Sequence, residues 1–303
     1  MWAPDRIIAS LTARGDLWQP APGVVGLRGD TLALFTALER AIGSLAQAET
    51  RDEWRVPQAI PLEVLARAEY FASFPQWLTL ASHLDDDEAV LSRVAADEHP
   101  AAAARRAAAP ADAALPPAVC YHVYAALAGG VVASPTLLTA QGTCWRHEGA
   151  RHAPLERGWA FTMREIVCLG SSAETKAFRA RVVPRAMAFA AALGLDATVV
   201  EASDPFFAPT ARGKALLQRV KALKHELLLP LGDGRRIAAA AFNLHEGFFG
   251  EAFNIRLAGG DVAATACVAF GLERWLLAVL TSHGPDSRHW PAVDGSLVAD
   301  GVA

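Results

Sequence analysis

Arginine and carboxylate side chains near the middle of the chain could bind a phosphate and an amino group. Arg146 and Glu148 are two positions apart, so on a β-strand their side chains would point to the same face of a sheet. The planar guanidinium matches phosphate oxygens, and a carboxylate can accept hydrogen bonds from an amino group. Taken alone, an Arg-x-Glu sequence is more typical of an exposed ion pair, which contributes little free energy. Its meaning therefore depends on the elements around it.

These residues belong to a segment, Gly142–Gly170, that predicts a long antiparallel hairpin. Two stretches alternate as strands do, Cys144–Glu148 and Trp159–Leu169, and a polar loop with glycine and proline separates them. Glu165 lies on the predicted return strand, beside Arg164.

The rest of the chain alternates between helical and strand patterns. Apolar spacing predicts a helix over Thr31–Ala48, with Asp30 as its N-cap, and a strand that ends near Pro57. The segment 85–117 is rich in alanine and charge, which indicates an alanine-rich helix or a mobile insertion. Further helices are predicted over Leu62–Tyr70, Thr175–Leu193 and Thr265–Leu280, and further strands over Thr198–Glu201, Glu226–Pro230, Arg236–Asn243 and Phe253–Leu257.

Composition is that of an ordinary globular protein without a broad nucleic-acid-binding surface. The 303 residues are 52% hydrophobic and 20% charged, with a net charge of −4. Affinity for phosphate backbones needs clustered Lys and Arg, so a full tRNA-binding module is not predicted. The four cysteines lack C-x-x-C spacing, and neither a signal peptide nor an apolar run of membrane length is visible. We therefore expect a cytoplasmic protein with no membrane partner.

Three segments resemble the motifs of the class II aminoacyl-tRNA synthetases. Trp145–Glu148 followed by Arg157–Phe161 resembles motif 2, and Gly271–Arg274 before an apolar run resembles motif 3. A helix, strand and proline over about residues 30–61 resemble motif 1, through which these enzymes form dimers. The resemblance implies an α+β fold with a mainly antiparallel sheet flanked by helices. It implies one catalytic domain over residues 1–303 and a homodimer, with motif 2 at about 142–170, motif 3 at about 265–280 and a variable insertion at about 85–117.

A narrower resemblance is to the amino acid:[carrier protein] ligases, which are truncated relatives of the zinc-dependent, methanogen-type seryl-tRNA synthetases. It covers roughly Leu115–Leu280. It implies a catalytic zinc ion bound by Cys120, Glu165 and Cys267, with an open position for the amino group of the substrate. The segments that carry this resemblance are Val119–His122, Cys144–Gly149, Phe161–Glu165, Asp204–Phe207, Asn243 to Gly250 and Cys267–Arg274.

The same resemblance implies roles in binding ATP and the amino acid. Arg146 and Arg274 would be the catalytic arginines, because activation mainly requires that reactants be oriented and that charge on oxygen be stabilised. Arg146 would contact the α-phosphate and the substrate carboxylate, and Arg274 would contact the γ-phosphate and one face of adenine. The remaining implied roles are adenine binding by Glu148 and Phe161, outer phosphates at Arg157, Mg²⁺ at Glu226, and the amino acid pocket at Asn243 and His245.

The chain has no length beside this core for an RNA-binding domain, so the implied acceptor is the phosphopantetheine thiol of a carrier protein. A small amino acid, glycine or alanine, is expected. Two alternatives stay open: a compact synthetase that charges tRNA with help from another subunit, and a non-catalytic paralogue that binds a regulator. A basic run could contact an acidic carrier, although a solvated helix face explains it equally well; it comprises Arg212, Lys214, Arg219, Lys221 and Lys224.

Overall fold

Residues 1–207, 218 and 221–293 are described by a computed structural model of the chain. The helices of this part are α1 (Pro4–Arg14), α2 (Gly29–Gln47), α3 (Leu62–Arg67), α4 (Tyr70–Ser73), α5 (Glu88–Ala96), α6 (Pro100–Arg106), α7 (Cys120–Ala126), α8 (Ser172–Ala192), α9 (Phe248–Phe253) and α10 (Leu272–His283).

A seven-stranded sheet runs through the centre of the molecule, and its strands pair antiparallel except at one edge, where β3 runs parallel to β8. The order is β10, β11, β12, β14, β9, β8, β3. These strands are β3 (Glu53–Arg55), β8 (Thr136–Trp145), β9 (Ala160–Gly170), β10 (Thr198–Ala202), β11 (Lys224–Pro230), β12 (Arg236–Glu246) and β14 (Ala264–Gly271).

Smaller sheets lie around the central one. The pair β1 (Leu17–Ala21) and β2 (Val24–Leu27) forms a hairpin, and β7 (Val131–Val132) pairs with β13 (Arg256–Leu257). A three-stranded sheet contains β4 (Ile60–Pro61), β5 (Thr79–Ala81) and β6 (Ala113–Leu115), with β6 in the middle.

Helices cover the two faces of the central sheet. On one face α1, α2, α8 and α10 pack against alternate strand residues such as Val268 and Phe270. On the other, α3, α4, α7 and α9 pack near Leu138, Val167 and Cys267. This is the predicted α+β arrangement of a mainly antiparallel sheet flanked by helices, and the prediction is confirmed.

The predicted hairpin over Gly142–Gly170 is also confirmed, because β8 and β9 pair in continuous antiparallel register up to Trp145 and Ala160. The first strand, however, ends at Trp145, so the prediction that Arg146 and Glu148 lie on it is wrong. Beyond the end of the strand, the backbone N–H of Arg146 donates across the hairpin to the carbonyl of Trp159 at 2.9 Å.

The helix predicted over Thr265–Leu280 is wrong in its first half. Residues Ala264–Gly271 form β14, and the helix begins at Leu272. Because both faces of this strand are covered, its buried residues read as one continuous apolar run, which by itself does not distinguish a strand from a buried helix. Arg274 nevertheless lies in the first turn of the helix, as the motif implies.

Other predictions fail at element ends. Asp30 lies inside α2, which begins at Gly29, and its carboxylate accepts a hydrogen bond from Ser287 instead of capping the helix. The helix predicted over Leu62–Tyr70 splits at Glu69, whose φ of 51° is left-handed. The strand predicted over Phe253–Leu257 shrinks to two residues because α9 extends to Phe253.

The segment 85–117 contributes regular structure to the fold. It forms α5, α6 and β6, so the prediction of one alanine-rich helix is replaced by two short helices and a strand. Asp87 caps α5 by accepting hydrogen bonds from the N–H groups of Ala89 and Val90. No helix in the described part of the chain is long and apolar enough to span a lipid bilayer.

We expect Trp275 to be a main support of the helix that carries Arg274. Its side chain is fully buried, and its indole N–H donates to the carbonyl of Ala239 at 3.0 Å. Replacing Trp275 by Phe leaves that carbonyl without its donor and a gap in the core, so W275F should lower the free energy of unfolding by about 2 kcal/mol. Trp18 is half exposed and serves as the control: W18F should change the free energy of unfolding by less than about 0.5 kcal/mol. Urea unfolding followed by circular dichroism compares the two variants. Equal midpoints for W275F and W18F would contradict the supporting role of Trp275.

Candidate active site

A pocket of about 730 Å³ opens on the face of the sheet that carries Cys267. The floor is formed by small residues of the central strands, Ala239, Ala241, Ala269 and Gly271. The neighbouring positions Phe242 and Phe270 point to the opposite face, where they fill the core. Small side chains on one face and large ones on the other thus leave space on the pocket side only.

Sheet register aligns chemistry-bearing residues across this floor. Glu226 pairs with Ala241, Ala241 with Ala269, and Ala269 with Glu165, so the two glutamates lie in one row of the sheet. The next row contains Lys224, Asn243 and Cys267. Residues more than a hundred positions apart are therefore brought onto one surface.

The pocket gathers ten of the eleven residues predicted for the site. The exception is Arg157, which is not among the lining residues but forms an ion pair with Glu148. The ten that line it are Cys120, Arg146, Glu148, Phe161, Glu165, Glu226, Asn243, His245, Cys267 and Arg274.

Cys120, Glu165 and Cys267 form one cluster. One ligand atom from each lies within 4.8 Å of the others, and all three residues are buried. One carboxylate oxygen of Glu165 accepts from the N–H groups of Val119 and Cys120 at 2.8 and 3.3 Å. The other is buried with no hydrogen-bond partner among the described residues. Two sulfurs and a free carboxylate oxygen suit a zinc-type ion with three protein ligands.

Asn243 and His245 both contact this cluster. The amide of Asn243 donates to the sulfur of Cys267 at 3.4 Å, and the Nε2 atom of His245 lies 3.8 Å from the same sulfur. The Nδ1 atom of His245 is held by Thr265 at 3.2 Å. These two residues thus orient Cys267 as well as lining the cavity.

The electrostatics of the cluster favour a thiolate at Cys267. The hydrogen bond with Cys120 lowers the pKa of the Cys267 thiol, and the contacts with His245 and Asn243 lower it further. The same hydrogen bond raises the pKa of Cys120, and burial adds to that increase. Burial raises the pKa of Glu165 to about 8. A bound cation would reverse these last two increases, because it stabilises the ionised forms.

Arg146 lies between two aromatic rings. Its guanidinium carbon is 5.4 Å from the ring centre of Phe161 and 5.5 Å from that of Trp77, and its Nε donates to the carbonyl of Pro117 at 2.9 Å. These contacts fix the plane of the guanidinium while leaving its terminal nitrogens available to a ligand.

Arg274 is fixed by two backbone carbonyls. Its Nε donates to Glu156 at 2.9 Å and one terminal nitrogen donates to Ala238 at 2.8 Å. In the described part of the chain no carboxylate forms an ion pair with it, and burial, followed by the nearby Arg146, lowers its pKa. An anionic ligand would relieve this desolvated positive charge.

A buried ion-pair network forms one wall. The ammonium group of Lys224 contacts Asp204 at 2.6 Å and Glu226 at 2.8 Å. Burial alone would lower the pKa of Lys224, but the two carboxylates outweigh it and raise the pKa. The prediction that Lys224 belongs to an exposed basic run is therefore wrong: it lies on β11 inside the pocket.

One other residue of that run lies in the described part of the chain. Lys221 forms an ion pair with Glu246 at 2.9 Å. Arg212, Lys214 and Arg219 lie outside the described residues.

Sequence reasoning misses several lining residues. Trp77 follows a proline turn with no motif around it, and its contact with Arg146 arises only in three dimensions. Asp204 stands in a recognised segment, but nothing local indicates its pairing with Lys224. Glu273, beside Arg274, accepts twice from the N–H of Thr162, at 2.8 and 2.9 Å.

Comparisons with known proteins identify relatives of the chain and a solved structure of the same fold. No protein-family model matches the chain. The chain is 35% identical over 274 residues to amino acid–[acyl-carrier-protein] ligase 2 of Bradyrhizobium diazoefficiens, covering 89% of this chain and 81% of that protein. It is 36% identical over 266 residues to ligase 1 of the same organism, covering 86% and 81%.

A solved structure shows the fold. The seryl-tRNA synthetase of M. kandleri, in complex with A. aeolicus tRNASec, superposes with a TM-score of 0.85 at 22% identity, over 97% of this chain and 60% of that one. The class II synthetase-like fold that the motifs imply is confirmed.

The buried carboxyl group of Glu273 should make the stability of the fold depend on pH. Burial raises its pKa to about 7, so the folded chain binds more protons than the unfolded chain between about pH 4.5 and 7, and stability falls as pH rises through that window. Glutamine does not ionise. The free energy of unfolding of the wild type relative to E273Q should therefore decrease by about 1 to 3 kcal/mol between pH 5 and pH 8. Urea unfolding at both pH values measures this, and a constant difference would show that Glu273 titrates normally.

Proposed function

The chain belongs to the family of amino acid–[acyl-carrier-protein] ligases, and on that basis we propose how its site works. As in this family, the chain is an ATP-dependent ligase that joins an amino acid to a carrier protein. The observation that carries the residue assignments is the shared pocket: a Cys–Glu–Cys cluster and two fixed arginines line one cavity.

In the first step a carboxylate oxygen of the amino acid attacks the α-phosphorus of ATP. A new oxygen–phosphorus bond forms, the bond to the β-phosphate breaks, and pyrophosphate leaves with its electron pair. Arg146 contacts the α-phosphate and the substrate carboxylate, and Arg274 contacts the γ-phosphate. Both act by holding positive charge where oxygen charge develops. In the second step the phosphopantetheine sulfur of the carrier attacks the acyl carbon, forming a thioester and releasing AMP.

The adenine site lies at the hairpin. Phe161 offers an aromatic face, and Glu148, fixed by its ion pair with Arg157, lines the same pocket. Arg157 contacts the outer phosphates. Because Arg157 already neutralises Glu148, binding a triphosphate requires it to shift from a carboxylate partner toward phosphate oxygens.

Cys120, Glu165 and Cys267 would hold a zinc ion. The free oxygen of Glu165 and the lowered pKa of Cys267 support this assignment. When bound, the ion supplies a positive site that binds and orients the substrate amino group. Asn243 and His245 orient Cys267 from the cavity side and form the wall next to the amino acid.

A small amino acid, glycine or alanine, suits this corner of the pocket. The contacts of Asn243 and His245 with Cys267 bring both side chains close to the cluster. Side chains this close to the proposed metal ligands would restrict the substrate side chain, which favours glycine or alanine.

Glu226 is the proposed ligand for the Mg²⁺ ion that accompanies ATP. It lies in the same sheet row as Glu165, and it is paired with Lys224 in this structure. Magnesium binding would therefore replace that ion pair, while Asp204 retains Lys224.

We also propose that the chain acts as a homodimer through the motif 1-like region, α2 and β3. Strand β3 is the edge strand of the central sheet, next to β8. The assembly would extend from that edge.

The decisive experiment is amino acid-dependent exchange of pyrophosphate into ATP, measured for all twenty amino acids. We expect exchange with glycine or alanine, and a loss of at least 100-fold in R146A and R274A, because each removes a buried or fixed positive charge from the phosphates. Product transfer then compares a phosphopantetheinylated carrier with tRNA. Exchange with no amino acid would contradict the assignment of the site, and transfer to tRNA alone would favour the compact synthetase.

Metal content tests the cluster separately. The purified chain should contain about one zinc ion per chain, and C267A and E165Q should lose it, because each removes one of three protein ligands. C168A is the matched control, since Cys168 is equally buried and lies on the next strand but points to the other face. Mass spectrometry of the metal measures this, and equal zinc in C267A and C168A would exclude the cluster as the binding site.

A further inference from the structure

Glu156 connects the hairpin loop to Arg274. Its backbone carbonyl accepts the hydrogen bond from the Nε of Arg274 at 2.9 Å. Its side chain points to the tip of the β11–β12 hairpin, where Arg235 binds both carboxylate oxygens, at 2.6 and 3.0 Å. The same residue thus holds a pocket arginine with its backbone and a surface arginine with its side chain.

The turn around Glu156 is tightly defined. Ala153 and Arg157 exchange backbone hydrogen bonds at 3.0 and 2.7 Å. Between them Leu155 has a φ of 60°, a left-handed value that costs free energy for this residue, and its side chain is buried in the core. Such a turn needs support on both sides, and the Arg235 pair supplies it on the outer side.

Arg235 is itself oriented by its own turn. Its Nε donates to Asp233 at 2.7 Å, and its backbone carbonyl accepts from the N–H of Leu231 at 2.8 Å. The two terminal nitrogens are left to form the paired contact with Glu156. A bidentate pair of this kind fixes orientation better than a single contact does.

We propose that Arg235 is a positioning residue for ATP: through Glu156 it fixes the guanidinium of Arg274 where the outer phosphates bind. Arg274 has no carboxylate partner among the described residues, so its position depends on the carbonyls of Glu156 and Ala238. Without Arg235 the turn at Glu156 is no longer held on its outer side, so the hydrogen bond from Arg274 to the Glu156 carbonyl is weakened. This inference rests on the proposed ATP site.

Nucleotide affinity tests the proposal without requiring turnover. Calorimetric titrations with Mg²⁺ and ATP, and separately with AMP, compare the wild type, R235A and R236A. Arg236 is the matched control, because it is the next residue but pairs with Asp196, away from the hairpin loop. R235A should bind ATP about fivefold more weakly, the effect of one well-formed exposed ion pair. AMP affinity should fall by less than about twofold, since AMP keeps the adenine contact assigned to Arg274 but lacks the outer phosphates. R236A should match the wild type for both nucleotides.

A charge exchange tests whether the pair itself matters. The double variant R235E/E156R restores the opposite charges in reversed order and should recover most of the ATP affinity that R235A loses. Equal ATP affinity in R235A and R236A would overturn the proposal. A parallel loss for ATP and AMP would also overturn it, because it would indicate general distortion of the pocket.

The outcomes separate this inference from the proposed function. If the wild type exchanges pyrophosphate but R235A binds ATP normally, the inference alone fails. If the nucleotide titrations behave as expected but no amino acid supports exchange, the proposed reaction fails while the role of Arg235 stands. A wild type that binds neither nucleotide would refute both.

Discussion

A buried carboxylate on the central sheet, that of Glu165, is the constraint on which the site depends. Removing a charged group from water is costly unless it is hydrogen-bonded or paired. Two backbone N–H groups at the start of α7 satisfy one oxygen, which also fixes where that helix meets the sheet and hence where Cys120 lies. The second oxygen faces the sulfurs of Cys120 and Cys267. The position of α7 and the geometry of the cluster are thus set by the same group.

A second constraint is the concentration of positive charge at the other end of the pocket. Burial lowers the pKa of Arg274, and the positive charge of the nearby Arg146 lowers it further. Neutral groups hold both side chains, backbone carbonyls and aromatic rings, and no carboxylate of the described residues forms an ion pair with Arg274. Charge fixed in this way is available to a polyanionic ligand without prior reorganisation of the site.

Lys224, unlike the two arginines, is a buried cation with carboxylate partners. Here a buried cation is paired with two carboxylates, so it contributes to the wall of the pocket instead of offering free positive charge. The pocket therefore contains two kinds of cation: arginines held by backbone carbonyls and aromatic rings, and a lysine paired with two carboxylates. In the proposed reaction the arginines would bind the phosphates, and the amino acid would bind at the Cys–Glu–Cys cluster.

The sequence by itself determined the hairpin, the two long helices α2 and α8 and the motif residues, because these depend on local periodicity and on residue types at short spacing. The order of Arg146, Glu165, Cys267 and Arg274 along the chain, with its family resemblance, pointed to one site. Local periodicity did not predict β14, because this strand is covered on both faces and its continuous apolar run is also typical of a buried helix. Tertiary structure alone decided the contacts of Trp77, Asp204 and Glu156, because their partners Arg146, Lys224 and Arg274 lie on other elements, and no local spacing encodes how those elements pack together.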